Sequence, residues 1–206
     1  MLTVWGRTSS VNVQKVMWAV RELGLEHERI DAGGAFGKLD TPEYGAMNPN
    51  RKIPTLKDGD LVVWESNACV RYLAARYGAG SLWPEDPARR ALSDVWMDWQ
   101  QTTLQPDMTP IFWNLVRTPE SQRDMAAVRA AAERVGRSWQ ILDAHLASRR
   151  FVAGDAFTMG DIPVGCTAHR WLNLPIERPE LPHLAAWYER LCERPAYRRY
   201  VRQPMT

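Results

Sequence analysis

The chain has 206 residues, 45% of them hydrophobic and 24% charged, with a net charge of +2; this is enough apolar material for one large packed domain or two small ones and excludes a disordered or fibrous chain. The arginine pairs at 89–90, 149–150 and 198–199 are dispersed instead of gathered into one run, which argues against nucleic acid as a partner. Cys69, Cys166 and Cys192 are far apart, odd in number and without a CxxC pair, and no stretch nears the roughly 20 apolar residues of a membrane span, so a cytoplasmic protein without a membrane partner is expected.

Leu2 to Gly6 reads as a short buried strand. Val13, Val16, Met17, Val20 and Leu23 then recur at helical spacing, and Gly24 stands where a helix takes a left-handed C-terminal cap. Glu26 to Ile30 gives a second strand, so the opening is β-α-β with a parallel pair. Residues 32–50 read as loop, with one short helix near Pro42 to Met47. Asp58-Gly59-Asp60 between two apolar runs predicts a hairpin, and Ser66 opens a helix to Tyr77 that Gly78 closes.

Residues 1–78 form the first expected domain, and the turn-rich segment 79–87 reads as a linker to a helical domain over 88–206. In that second domain Pro106 and Pro110 predict a kink or break in the helix that starts near Ala88, because an interior proline removes a backbone donor. Met125, Val128, Ala132, Val135, Trp139, Leu142 and Leu146 form the buried stripe of a long helix. Thr158-Met159-Gly160-Asp161 has the spacing of a capping box, a structural device.

Three short segments carry chemistry. In Ser10-Val11-Asn12-Val13-Gln14-Lys15-Val16 a hydroxyl stands at a helix start, where Ser9, Ser10 or Asn12 could simply cap the helix or could stabilise an anion. Asn48-Pro49-Asn50-Arg51-Lys52-Ile53-Pro54 reads as a turn before a strand, and in Trp64-Glu65-Ser66-Asn67 an acid and a hydroxyl meet at the start of a second helix. In this order and spacing, the three segments resemble those of the cytosolic glutathione transferases, specifically the phi-like and theta-like serine classes.

That resemblance covers nearly the whole chain and implies an α/β thioredoxin-like N-terminal domain followed by an all-α C-terminal domain. It implies glutathione as cosubstrate, with Ser10 donating a hydrogen bond to the thiolate and Asn12 or Ser9 as alternative donors. Ile53 and Pro54, the proline cis, would pair with the cysteinyl unit, Lys52 would meet the glycyl carboxylate, and Glu65 and Ser66 would hold the γ-glutamyl end. Arg51 replaces the family's usual glycine, which puts that loop's conformation in question. The resemblance also implies a homodimer.

The second substrate is expected to be a small, mostly apolar electrophile, bound between the loop near Arg7 and Thr8 and the proline-bearing helix; Met108, Phe112 and Trp113 could line that pocket or could belong to the core. A glutathione-dependent isomerase or dehalogenase, or a ligand-binding protein of the same fold, is the alternative. Ser9-Ser10 resembles the start of the zeta isomerases' S-S-C motif, but Val11 replaces its cysteine. No metal site is expected, since His27, His145, His169 and His183 have no ligand spacing, and Trp96, Trp99 and Trp139 read as core.

Overall fold

A computed structural model describes residues 1–205. Its first half runs β1 (Leu2–Trp5), α1 (Val11–Glu22), β2 (His27–Ile30), α2 (Pro42–Met47), β3 (Thr55–Asp58), β4 (Leu61–Trp64) and α3 (Ser66–Tyr77). The four strands lie in the order β2-β1-β3-β4, with β1 parallel to β2 and the other two pairs antiparallel. Asp58 pairs with Leu61, so the hairpin turns on Gly59 and Asp60, and Gly59 takes φ +59 without the Cβ clash another residue would meet.

Helix α1 ends as its sequence directs. Gly24 sits at φ +65, and the Leu25 amide donates back to Val20. Its burial exceeds one stripe, however, since every residue from Val13 to Val20 is buried, Trp18 included. The second half of the chain packs against the face that the sheet does not cover, and there Trp18 meets Tyr197 edge-on at 4.6 Å while Arg194 pairs with Glu22 at 2.7 Å.

The second half is helical: α4 (Pro87–Trp99), α5 (Gln105–Phe112), α6 (Met125–Leu146), α7 (Asp161–Asn173), α8 (Pro182–Cys192) and α9 (Pro195–Tyr200). Of the kink or break expected at Pro106 and Pro110, the break does not occur. The chain stays helical from Pro87 to Arg117 by widening into π-turns over Gln100–Leu104 and Trp113–Arg117, on either side of α5. Side chains occupy carbonyls along this stretch: Thr102 Oγ1 donates to Asp98, Thr109 Oγ1 to Gln105, and Asn114 Nδ2 to Pro110.

Asp161 is fully buried at the start of α7 and accepts from the Val152 and Thr158 amides, both at 3.0 Å, and from Trp187 Nε1 at 2.9 Å. One half of the capping box is thus made, Asp161 reaching back to the Thr158 amide, while the Thr158 hydroxyl accepts instead from Gly160 and from Ser93 of α4. Trp187 is fully buried at this point; Trp139 and Trp171, also fully buried, stack on each other at 6.3 Å, Trp96 is buried too, and Trp99 partly so. Among the described residues no helix is long and apolar enough to cross a membrane.

Candidate functional site

Two helices of the first half start side by side. Ser10 is the N-cap of α1, with extended backbone (φ −82, ψ 121), yet its hydroxyl makes no capping bond and the first turn carries no acid. Both the hydroxyl and the amides of that turn are therefore open to an anion. At the start of α3 the Ser66 hydroxyl donates to Asn12 Oδ1 at 3.3 Å, which ties the two helix ends together; the hydroxyls of Ser9 and Ser10 both lack a partner among the described residues, and Ser10 is the one that stands at the helix cap.

Beneath this junction lies Lys15, which is 2% exposed and has no carboxylate within ion-pair distance among the described residues. Its Nζ donates to Gln100 Oε1 at 3.0 Å and lies 3.5 Å from Ser66 Oγ. Burial pulls its pKa down to about 8. Gln100 in turn donates to Thr167 of α7 and to Gln105 of α5, so a chain of polar groups runs from the Ser66 helix end into the helical half.

The backbone is unusual at three places around the same site. Glu65, the residue before α3, is exposed and sits at φ +65 and ψ 114, outside the regions ordinary residues occupy. Ile53–Pro54 is a cis peptide, and Ile53 Cβ lies 3.4 Å from where a Cβ on Gly6 would stand, so the loops after β1 and before β3 are in contact. Arg51 takes φ +51, the left-handed conformation that suits glycine. Its guanidinium offsets that cost by donating to the Leu39 and Thr41 carbonyls at 2.9 and 3.1 Å while lying against Gly45. The question raised by Arg51 is thereby answered: the loop keeps glycine-like geometry with an arginine in place.

Lys52 is exposed, and its carbonyl accepts from the Tyr44 hydroxyl and Asn48 Nδ2, both at 2.8 Å, which fixes the backbone leading into Ile53. From the helical half, Met108 joins the core at 2% exposure, Phe112 is buried under Arg170, and Trp113 is 59% exposed. Arg170 Nη2 donates to the Ser9 carbonyl at 3.3 Å, so Phe112 reaches the Ser10 loop through this arginine. Arg170 carries no local motif, and nothing in its surroundings on α7 marks it as a partner of Ser9.

The three thiols do not compete with a bound one. Burial raises Cys69 and Cys166 to about 12 and raises Cys192, so none is a thiolate near neutrality.

Residues 1–75 match the family model described as "Glutathione S-transferase, N-terminal domain", and residues 125–190 match "Glutathione S-transferase, C-terminal domain". Glutathione S-transferase GstB of Escherichia coli is 43% identical over the full length of both chains. The chain belongs to the glutathione S-transferase family. Glutathione S-transferase 3 of Zea mays is 31% identical, covering 97% of this chain and 93% of its own. The crystal structure of the theta class glutathione S-transferase from Xanthomonas axonopodis pv. citri with glutathione bound superposes with a TM-score of 0.96 at 51% identity, covering 100% of this chain and 99% of that one. This chain is thus a glutathione transferase that uses glutathione as its cosubstrate, built on the thioredoxin-like and helical halves described above.

Proposed function

We propose that this glutathione transferase activates the thiol of glutathione with the Ser10 hydroxyl and delivers the thiolate to a small electrophile with an apolar face. The observation that carries the reading is the free hydroxyl of Ser10 at the start of α1, at a helix end that holds no acid and no capping bond. A free thiol titrates near pH 8.5, and a donor together with the positive end of a helix lowers it toward neutrality. The thiolate forms the carbon–sulfur bond at the electrophilic carbon as the leaving group departs with its bonding electrons, the thiol proton having left to solvent, and Ser10 forms no covalent bond.

Around the sulfur, the exposed backbone of Ile53 before cis-Pro54 suits the cysteinyl unit, since its amide and carbonyl make no hydrogen bond among the described residues. Lys52 suits the glycyl carboxylate, and Glu65 with the Ser66 helix end suits the γ-glutamyl amine and carboxylate. Of the three residues proposed for the second substrate, Trp113 is exposed and suits that contact, while Phe112, buried under Arg170, and Met108 in the core support it from behind.

Ser10→Ala tests the assignment. It should leave glutathione affinity nearly intact, raise the pKa of the bound thiol and slow conjugation about ten- to a hundredfold, the worth of one hydrogen bond to a charged group. Normal turnover of Ser10→Ala with loss in Asn12→Ala would move the donor role to Asn12.

The working form proposed is a two-fold homodimer in the cytoplasm, where the three free cysteines stay reduced. Leu61 and Trp64 on β4, Tyr77 on α3, and Leu92 and Val95 on α4 leave apolar surface exposed that such a pairing would cover. A single species of monomer mass in sedimentation at micromolar concentration would remove the dimer from the proposal.

A further inference from the structure

Three arginines converge on the mouth of the Ser10 site from different elements: Arg7 from the loop after β1, Arg117 from the end of the π-turn after α5, and Arg170 from α7. The guanidinium carbon of Arg170 lies 3.7 Å from the centre of the Phe112 ring and that of Arg117 lies 5.8 Å from it, so both cations bear on one ring. Arg170 is anchored to the Ser9 carbonyl, next to the residue that would hold the sulfur. Arg7 runs along Gly33 and Gly34, both at positive φ, which leave room for its guanidinium. None of the three forms an ion pair with a carboxylate among the described residues.

Arginines gathered at a half-buried site are ordinarily answered by carboxylates, because guanidiniums that face one another lose solvation and repel. That penalty is visible here. Burial, with further lowering by Arg117 and Arg7, brings Arg170 down to about 10, and burial with Arg117 lowers Arg7. The carboxylates of glutathione have other counterparts, Lys52 at one end and the Ser66 helix start at the other, and the thiolate answers at most one of the three cations.

We infer that the second substrate of this enzyme is an electrophile bearing a carboxylate, its charge between Arg117 and Arg7 while the reacting carbon meets the sulfur beside Ser10. A guanidinium holds a carboxylate through two parallel hydrogen bonds, and Arg117 is exposed and has no ion-pair partner among the described residues. The inference rests on the transferase reading of the Ser10 site and narrows its electrophile from an apolar molecule to an apolar acid.

The test uses an isosteric pair, 4-chloro-3-nitrobenzoate and 4-chloro-3-nitrobenzamide, with glutathione and the whole enzyme. In both, the thiolate carbon–sulfur bond forms at the ring carbon carrying chlorine, and chloride leaves with its bonding electrons. After division by the uncatalysed rates, kcat/KM should favour the benzoate about tenfold at low salt, and Arg117→Gln, at an exposed position where folding is not at stake, should reduce that preference about fivefold. Added salt should shrink the preference in the parent enzyme more than in the variant. Turnover of the benzamide equal to or better than the benzoate would overturn the inference while leaving the transferase site standing, and turnover of neither would overturn both. A change in the KM for glutathione in Arg117→Gln with the benzoate preference intact would show that the cluster serves glutathione instead.

Discussion

The two halves of the molecule build their shares of the site by different means. In residues 1–77 the candidate site rests largely on backbone: two helix starts, a cis peptide, and the positive φ of Arg51 and Glu65 hold peptide groups where a peptide-like ligand could meet them, beside the side chains of Ser10, Lys52 and Glu65. In the helical half the proposed share comes from side chains on helix faces, Phe112 from α5, Arg117 from the π-turn and Arg170 from α7. A ligand that never changes is best recognised by peptide groups whose placement tolerates no substitution. A substrate that varies is better met by side chains, which can change without moving the scaffold.

That contrast can be broken most severely at Asp161, the buried group that joins Val152, Thr158 and Trp187 within the helical half. Asp161→Ala leaves three buried donors without a partner and should cost about 3–5 kcal/mol, measured by urea unfolding, with Asp161→Asn intermediate. A loss below about 1 kcal/mol would mean that the helical half does not depend on this buried acceptor.

Lys15 tests the seam between the halves. Its pKa, about 8 in the folded chain, is below the roughly 10.4 of an unfolded lysine, so the folded state is penalised at pH below 8 and the penalty fades as pH rises toward 10.4. The stability of Lys15→Met relative to the parent should therefore fall between pH 8 and 10.4, by at most about 1.4 kcal/mol per pH unit. A pH-independent difference would place the amine in contact with water.

The smallest effect is expected at Glu65, where the backbone account and the side-chain account separate. Glu65→Ala keeps the cost of positive φ and removes the carboxylate, so glutathione affinity should fall about tenfold with little change in the thiol pKa. Glu65→Gly should show the same affinity loss but higher stability, because glycine takes φ +65 freely. If Glu65→Gly bound glutathione normally, geometry and not charge would be the contribution of this position.

Much of this was readable in order along the chain. The hydrophobic period of α1, the Gly24 cap and the Asp58–Gly59 hairpin are local rules, and each holds at the position where the residues stand; the expected stripe of α6 holds at Val128, Val135, Trp139, Leu142 and Leu146, but Met125 is exposed and Ala132 only half-buried, with Ala131 buried beside it. At Pro106 and Pro110 the helix does not break; it runs on through π-turns on either side of α5, the kind of widening at which helices bend. The expected one-sided stripe of α1 was too narrow, since a second layer of helices covers the opposite face.

By itself the sequence determined the elements, their order, and the three segments whose spacing points to glutathione, since caps, turns and hydrophobic period act within a few residues. Only the tertiary structure decided that Lys15 is sealed under Ser66 and Gln100, that Phe112 is buried while Trp113 is not, and that Arg170 reaches Ser9 across 161 positions of chain. Those facts depend on how α1 packs against α7 and how α7 meets α5, and a contact between residues so far apart leaves no periodic mark on either one.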